Sequence, residues 1–155
     1  MAERTYNVLF LCTGNSARSI MAEAYLNHVG QGGFQAHSAG SRPKNDVNPL
    51  ALSTLHSHGV PCHGARSKSW DEFAERAAPR MDLVITVCDS AAAKSCPIWP
   101  GAPLRAHWSF PDPTDAPSFE RVFAAIRSAV DRLVATSFDG DPVAVGRRIS
   151  SLVTA

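Results

Sequence analysis

Short apolar runs recur along the chain, separated by stretches in which apolar residues repeat with helical spacing. The first run, Val8-Leu9-Phe10-Leu11, is continuous enough for a strand that is buried on both faces. Leu-Val-Ile-Thr-Val at 83–87 has the same character. The apolar pattern and the flanking turn residues predict four strands, at 6–11, 34–39, 82–87 and 104–108.

The intervening stretches predict helices, because their apolar residues share one face and turn or capping residues bound them. The predicted helices lie at 19–29, 49–58, 70–77 and 119–134. Ser69 and Glu72 have the spacing of a capping box at the start of the third helix. The last segment, 143–153, is compatible with a short extra helix or with a frayed end.

Strands and helices alternate along the sequence, which predicts an α/β fold with a four-stranded parallel sheet covered by helices on both faces. A length of 155 residues fits a single domain, 1–155. In such sheets ligands bind beyond the carboxyl ends of the strands. Cys12 and Cys88 each close a predicted strand and Asp112 follows another, so we expect these three side chains at one edge of the sheet.

Composition narrows the choice of partners. The chain is 45% hydrophobic and 19% charged with a net charge of +1, so no charge excess indicates a nucleic-acid or membrane partner. It shows neither a signal peptide nor a run of about 20 apolar residues, and we expect a cytoplasmic protein. The cysteines at 12, 62, 88 and 96 are then expected to be reduced and suited to catalysis or metal binding.

A cysteine and an arginine frame the loop after the first strand, where residues 12–19 read C-T-G-N-S-A-R-S. Backbone N–H groups of this small-residue loop can converge on a tetrahedral oxyanion, and the following helix adds the positive end of its dipole. The Arg18 guanidinium matches two oxygens of such an anion, and Gly14 tolerates a positive φ. The predicted oxyanion-binding residues are Thr13, Gly14, Asn15, Ser16, Ala17 and Arg18.

The same surroundings favour the anionic form of the Cys12 sulfur. Thiols at helix N-termini beside a cation ionise readily, and Ser19 can donate a hydrogen bond to the sulfur. A thiolate beneath a bound oxyanion is placed to attack the central atom of that anion. The loop therefore predicts nucleophilic catalysis by Cys12.

Four stretches of the sequence resemble one family. They read V-L-F-L-C-T-G-N-S-A-R-S-I-M-A-E at 8–23, H-S-A-G-S-R-P at 37–43, D-L-V-I-T-V-C at 82–88 and H-W-S-F-P-D-P at 107–113. They are similar to the arsenate reductase branch of the low-molecular-weight protein tyrosine phosphatase superfamily. The resemblance implies a flavodoxin-like sheet, with Cys12 as nucleophile, Arg18 as oxyanion clamp and Asp112, between two prolines, as general acid.

Arsenate reduction needs two electrons, which oxidation of Cys12 and a second thiol to a disulfide supplies, and the resemblance implies roles for two further thiols. Cys88 would attack the Cys12–arsenic adduct, leaving a Cys12–Cys88 disulfide, and Cys96 would move that disulfide outward for an external reductant. An unbroken helix would hold Cys88 and Cys96 about 12 Å apart, whereas a disulfide needs Cα atoms within roughly 7 Å. We therefore expect a mobile redox segment at 88–97, reduced by thioredoxin, glutaredoxin or another low-molecular-weight thiol.

The alternative function is hydrolysis of phosphotyrosine or of a small phosphate ester by Cys12, Arg18 and Asp112. Tyrosine phosphatases of this family usually follow D-P with aromatic residues that wall the substrate slot, and Thr114 and Asp115 stand there instead. We interpret Asp115 as a solvated turn residue. A third alternative is a non-catalytic oxyanion-binding or redox-signalling module.

In some related reductases a monovalent cation lies behind the loop. Asn15, Glu23, Ser38 and Asp71 stand at positions that resemble the ligands of this potassium ion. No other cofactor is expected, and we expect a monomer. Cys62 matches no motif and is interpreted as structural.

Overall fold

The computed structural model describes residues 5–62, 64–75, 77–88 and 103–153. Four parallel strands in these ranges form one sheet in the order β2-β1-β3-β4. The strands are β1 (Tyr6–Cys12), β2 (Phe34–Gly40), β3 (Leu83–Thr86) and β4 (Leu104–His107). The α-helices described are α1 (Arg18–Val29), α2 (Pro49–Ser57), α3 (Ala116–Val134) and α4 (Pro142–Ser150). Short 3-10 helices span Trp70–Phe73 and Ser151–Val153.

The predicted α/β fold and parallel sheet are confirmed. Each strand lies within two residues of its predicted bounds. For the last segment, 143–153, a helix or a frayed end was expected, and the structure has the helix α4 there. Cys96, and the predicted mobile segment 88–97 apart from Cys88 itself, lie outside the described residues.

The helix predicted at 70–77 is wrong, because among the described residues of that range only the single 3-10 turn Trp70–Phe73 forms. The Ser69 hydroxyl does accept a hydrogen bond from the N–H of Asp71. The Glu72 carboxylate, however, accepts two hydrogen bonds from the Arg66 guanidinium, at 2.6 and 3.1 Å. A capping box requires the Glu72 carboxylate to accept from the backbone N–H of Ser69, and its pairing with Arg66 directs it elsewhere.

The sheet is buried on both faces. Val8 and Phe10 of β1 belong to a large apolar cluster shared with α1, α2, α3 and α4. Leu9 and Leu11 point to the other face, where Phe73 of the 3-10 helix and Met81 cover them among the described residues. This alternation explains why the first run is apolar without interruption.

The two C-terminal helices are fixed by polar contacts at their ends. Asp115 is exposed, and it caps α3 in a capping box with Ser118, so it does more than the solvated turn residue we expected. The indole N–H of the fully buried Trp108 donates to the carbonyl of Ile149, at 2.8 Å, and ties α4 to the end of β4.

Within the described part of the chain, no helix combines the length and apolarity needed to span a membrane.

The strand order places a switch point between β1 and β3. From β1 the chain moves to β2 on one side, whereas β3 and β4 lie on the other side. Ligands of open parallel sheets bind at such a point, beyond the carboxyl ends of the strands. Cys12 ends β1, and Cys88 follows β3 by two residues.

We expect Gly146→Ala to destabilise the protein, although alanine normally favours a helix by about 1 kcal/mol over glycine. A Cβ at Gly146 would lie 2.7 Å from the backbone oxygen of Arg105, so α4 would have to move off β4. Overpacking of this kind costs about 1–3 kcal/mol in the free energy of unfolding, measurable by urea titration. Val143→Ala on the same helix is the control, since Val143 is exposed; an unchanged or higher stability for Gly146→Ala would contradict the packing described.

We expect His37 to make stability sensitive to mild acid. Burial, and then the nearby charge of Lys68, lower the pKa of this histidine below its ordinary value of 6.5. The unfolded chain then binds the proton more readily, so the contribution of neutral His37 is complete above about pH 6.5 and is lost as the pH falls from there through the lowered pKa of the folded state. Urea titrations across this range should show a shallower loss for His37→Gln than for wild type or for the exposed-site control His56→Gln. Parallel curves would refute the assignment.

Candidate active site

The loop between β1 and α1 forms the floor of a cleft of about 690 Å³ at the switch point. Residues from three other parts of the chain complete the cleft. Its lining consists of Cys12, Thr13, Gly14, Asn15, Ser16, Ala17, Arg18, Arg42, Lys44, Cys88, Ser109, Phe110, Pro111 and Asp112. The structure thus brings every described member of the predicted loop together with Cys88 and Asp112.

The carbonyl oxygens of this loop are held from outside by the segment after β2. Backbone N–H groups of residues 41, 42, 44 and 48 donate to the carbonyls of Cys12, Thr13, Gly14 and Ser16, at 3.3, 2.9, 3.0 and 2.9 Å. Carbonyl oxygens repel an oxyanion, and here they are engaged by donors. The arrangement therefore suits the loop to bind an anion through its N–H groups.

Asn15 holds the loop in shape. It is fully buried and has φ 47°, so the left-handed residue of the loop is Asn15 and not Gly14. Its side-chain oxygen accepts from the backbone N–H of Lys68, at 2.8 Å. Its side-chain nitrogen donates to the hydroxyls of Ser19, at 2.8 Å, and Ser38, at 3.0 Å. Because a backbone donor fixes the oxygen, the orientation of the amide is determined.

The Cys12 sulfur receives hydrogen bonds from the loop that surrounds it. The N–H of Asn15 donates to it at 3.1 Å, and the Ser19 hydroxyl lies 2.9 Å away. A thiolate can only accept, so towards a thiolate Ser19 is the donor while its oxygen accepts from Asn15. The N-terminus of α1 also favours a negative charge on the sulfur. Its N-cap Ala17 makes no side-chain capping bond and its first turn has no acidic residue, so no side chain there offsets the positive end of the helix dipole.

Arg18 is held against the loop that follows β4. One guanidinium nitrogen donates to the carbonyl of Phe110, at 2.8 Å. A second lies 3.6 Å from a carboxylate oxygen of Asp112, whose side chain is 76% exposed, whereas that of Arg18 is 17% exposed. These contacts fix the planar fork of the arginine at the edge of the cleft and bring Asp112 beside it.

Cys88 lies on the opposite side of the loop. Its sulfur is 3.6 Å from the hydroxyl of Thr13, the residue that follows Cys12. The N–H of Val87 donates to the carbonyl of Leu11, at 2.8 Å, and extends the pairing of β1 and β3 to this point. Cys12 and Cys88 are both reduced and both buried. Two thiols of the described residues therefore line the cleft.

Three cationic side chains near the loop were not predicted from the sequence. Arg42 and Lys44 line the cleft. Arg42 belongs to the H-S-A-G-S-R-P stretch, and the position of this arginine directly after β2 could have indicated that it lies at the site. Lys68 is 8% exposed and lies behind the loop. No pattern in the surrounding sequence singles it out.

The residues expected to hold a monovalent cation do not fit that ion. Asn15 directs its amide nitrogen, a donor, towards Ser38, while Lys68 places its ammonium 3.8 Å from the Glu23 carboxylate. Asp71 is exposed. Among the described residues there is also no cluster of three His, Cys, Asp or Glu side chains that would hold a metal ion.

The sheet, the loop and the pairing of Cys12 with Arg18 define a class of protein. The chain belongs to the family of low molecular weight phosphotyrosine protein phosphatases, whose family model matches residues 7–141. Within this family its similarity is to arsenate reductases, as the sequence resemblance indicated. One of Staphylococcus epidermidis is 35% identical over 126 residues, which cover 80% of this chain and 92% of the relative.

Solved structures give the same result. An arsenate reductase in its phosphate-binding state has a TM-score of 0.72 at 27% identity, covering 84% of this chain and 97% of that one. A thioredoxin-dependent arsenate reductase of Corynebacterium glutamicum has a TM-score of 0.67 at 28% identity, covering 86% of this chain. This chain spans only 62% of the Corynebacterium protein.

We expect Gly40→Ala to displace the oxyanion loop. A Cβ at Gly40 would lie 2.5 Å from the carbonyl oxygen of Thr13 and 3.1 Å from the nitrogen of Asn15, so the loop would have to shift. The variant should lose about 1–3 kcal/mol of stability and about 100-fold of any activity that depends on the loop geometry. Gly33→Ala is the matched control, because the nearest atom to its Cβ is 3.9 Å away. Equal activities of the two variants would show that the close approach at Gly40 is unimportant.

Proposed function

We propose that the protein reduces arsenate to arsenite, with Cys12 as nucleophile and Cys88 as the second thiol. The observation that carries this proposal is the position of Cys88, whose sulfur lies 3.6 Å from Thr13 within the Cys12 loop. A phosphatase needs one thiol and an acid, whereas a reductase needs a second thiol close to the first. The similarity to arsenate reductases supports the same conclusion.

In the first step, arsenate binds to the loop N–H groups and the Arg18 guanidinium. The Cys12 thiolate attacks arsenic, forming a sulfur–arsenic bond, and one arsenate oxygen departs. Asp112, which lies 3.6 Å from Arg18 at the cleft edge, protonates that oxygen so that it leaves as water. The donors on the sulfur, Ser19 and the N–H of Asn15, prepare the thiolate for this attack.

In the second step, the thiolate of Cys88 attacks the sulfur of Cys12. A Cys12–Cys88 disulfide forms, the electron pair of the sulfur–arsenic bond passes to arsenic, and As(V) becomes As(III), which leaves as arsenite. Cys96 then attacks Cys88, releasing the Cys12 thiolate and forming a Cys88–Cys96 disulfide. A dithiol reductant of the thioredoxin type returns this pair to thiols, as the relation to a thioredoxin-dependent reductase suggests. Because the cycle needs reduced cysteines, we assign the protein to the cytoplasm.

Phosphate-ester hydrolysis is the second candidate, since the family model is that of phosphotyrosine phosphatases and Asp112 faces the same cleft. This chain differs from a tyrosine phosphatase in the residues that would form the aromatic wall of a phosphotyrosine slot. Thr114 and Asp115 occupy the positions after D-P, and both have their backbone N–H groups bound to the Ser118 hydroxyl at the start of α3. These residues serve the helix start instead of offering an aromatic surface.

We expect Cys88→Ser to separate the two functions. Arsenate-dependent NADPH oxidation, coupled through thioredoxin and thioredoxin reductase, should fall to background because the adduct on Cys12 cannot be resolved. Hydrolysis of p-nitrophenyl phosphate, which needs only the Cys12 thiolate and an acid, should persist at the wild-type level. Cys12→Ser should lose both activities, and Cys96→Ser should release one arsenite per enzyme without continued turnover.

Cys62→Ser provides the matched control, because Cys62 is a partly buried thiol that lines a different cavity. It should retain both activities. Wild type that hydrolyses p-nitrophenyl phosphate but consumes no arsenate would replace the reductase assignment with the phosphatase one. Undiminished arsenate turnover by Cys88→Ser would remove Cys88 from the mechanism.

A further inference from the structure

Lys68 carries a buried ammonium behind the oxyanion loop. Its backbone is fixed on two sides, since its N–H donates to Asn15 and its carbonyl accepts from the N–H of Gly40, at 2.9 Å. Its ammonium donates to the carbonyl of Arg66, at 3.0 Å, and lies 3.8 Å from the carboxylate of Glu23. Buried lysines are rare unless they are paired, so this placement calls for a role.

The partner of Lys68 is the end of a hydrogen-bond chain that reaches the nucleophile. Ser38 donates to the Glu23 carboxylate, and its oxygen accepts from the Asn15 amide. The same amide nitrogen donates to Ser19, which lies against the Cys12 sulfur. The Lys68 N–H already fixes the direction of the Asn15 amide, and an ionised Glu23, which can only accept, fixes the direction of the Ser38 hydroxyl.

The charge of Lys68 favours that ionised state of Glu23. Burial raises the pKa of Glu23, and the ammonium of Lys68 is the largest effect that opposes the shift. A neutral carboxyl group can donate a hydrogen bond and would permit Ser38 to turn. The pair therefore keeps Ser38 as the donor to Glu23, with the Ser38 oxygen left to accept from the Asn15 amide.

We propose that the Lys68 ammonium is an internal, covalently attached cation that takes the place of a bound monovalent ion behind the loop. Through Glu23 and Ser38 it anchors the Asn15 amide, which holds Ser19 beside the Cys12 sulfur. Lys68 is a positioning residue, since it acts through Glu23, Ser38 and Asn15. The proposal holds whether the oxyanion is arsenate or a phosphate ester. It means that the protein needs no potassium ion.

The first arm of the test uses the wild-type protein. The rate at which iodoacetamide alkylates Cys12, followed by peptide mass spectrometry, and the thermal unfolding midpoint are measured in potassium chloride and in tetramethylammonium chloride at equal ionic strength. Both quantities should be the same in the two salts. A saturable increase of either with potassium would overturn the proposal, whatever the variants show.

The second arm uses Lys68→Met, which keeps an unbranched apolar stem and removes the charge. Without the ammonium, the Glu23 carboxylate and the Arg66 carbonyl present oxygen atoms, the ligands that hard cations prefer. In tetramethylammonium we expect Cys12 alkylation about tenfold slower than in wild type, a typical effect of losing a supporting partner of a reactive site. Potassium should restore most of the lost rate in this variant alone.

Two controls test the cause of that response. Lys68→Met combined with Glu23→Gln removes the negative charge as well, and it should show no potassium effect. Arg66→Gln removes a cation from the same segment whose side chain is 61% exposed, and it should behave as wild type in both salts. Full alkylation by Lys68→Met in tetramethylammonium, or a potassium response that persists in the double variant, would refute the role of Lys68.

Discussion

The structure of the active-site loop depends on the hydrogen bonds of Asn15. A left-handed backbone, here φ 47°, is costly for most residues and least so for asparagine among those with a side chain. Both polar atoms of the Asn15 side chain form hydrogen bonds. The oxygen accepts from the Lys68 backbone N–H, and the nitrogen donates to Ser19 and Ser38. Its own N–H is directed to the Cys12 sulfur. One residue thus joins β1, α1, β2 and the segment that precedes the 3-10 helix Trp70–Phe73.

The second constraint is the register of β1 with β3. Leu11 is opposite Thr86, and the pairing continues to the N–H of Val87, so the residues after each strand meet at one place. Thr13 and Cys88, 75 residues apart in the chain, are brought to 3.6 Å by this register. A reductase built on a phosphatase loop needs this kind of tertiary placement, because the second thiol must reach the sulfur of Cys12.

The parts of the site that were predictable from sequence are those in which local pattern determines position. Cys12, Arg18 and Ser19 lie within one strand–loop–helix unit, so their spacing was sufficient to place them. Lys68 was not predictable, because its burial results from the bridge between Gly40 and Ser69, which lays its segment along the end of β2. The helix expected at 70–77 failed for a related reason: Glu72 is paired with Arg66, a partner outside the predicted helix.

The distribution of charge around Cys12 follows from the same contacts. Behind the loop, Lys68 and Glu23 oppose each other, so the buried side carries little net charge while its hydrogen bonds remain directed. In front, Arg18, Arg42 and Lys44 line the cleft with Asp112 as the carboxylate beside Arg18. A chain with a net charge of only +1 therefore presents a locally positive site to an oxyanion. Because Asp112 is largely exposed, it offsets this field weakly.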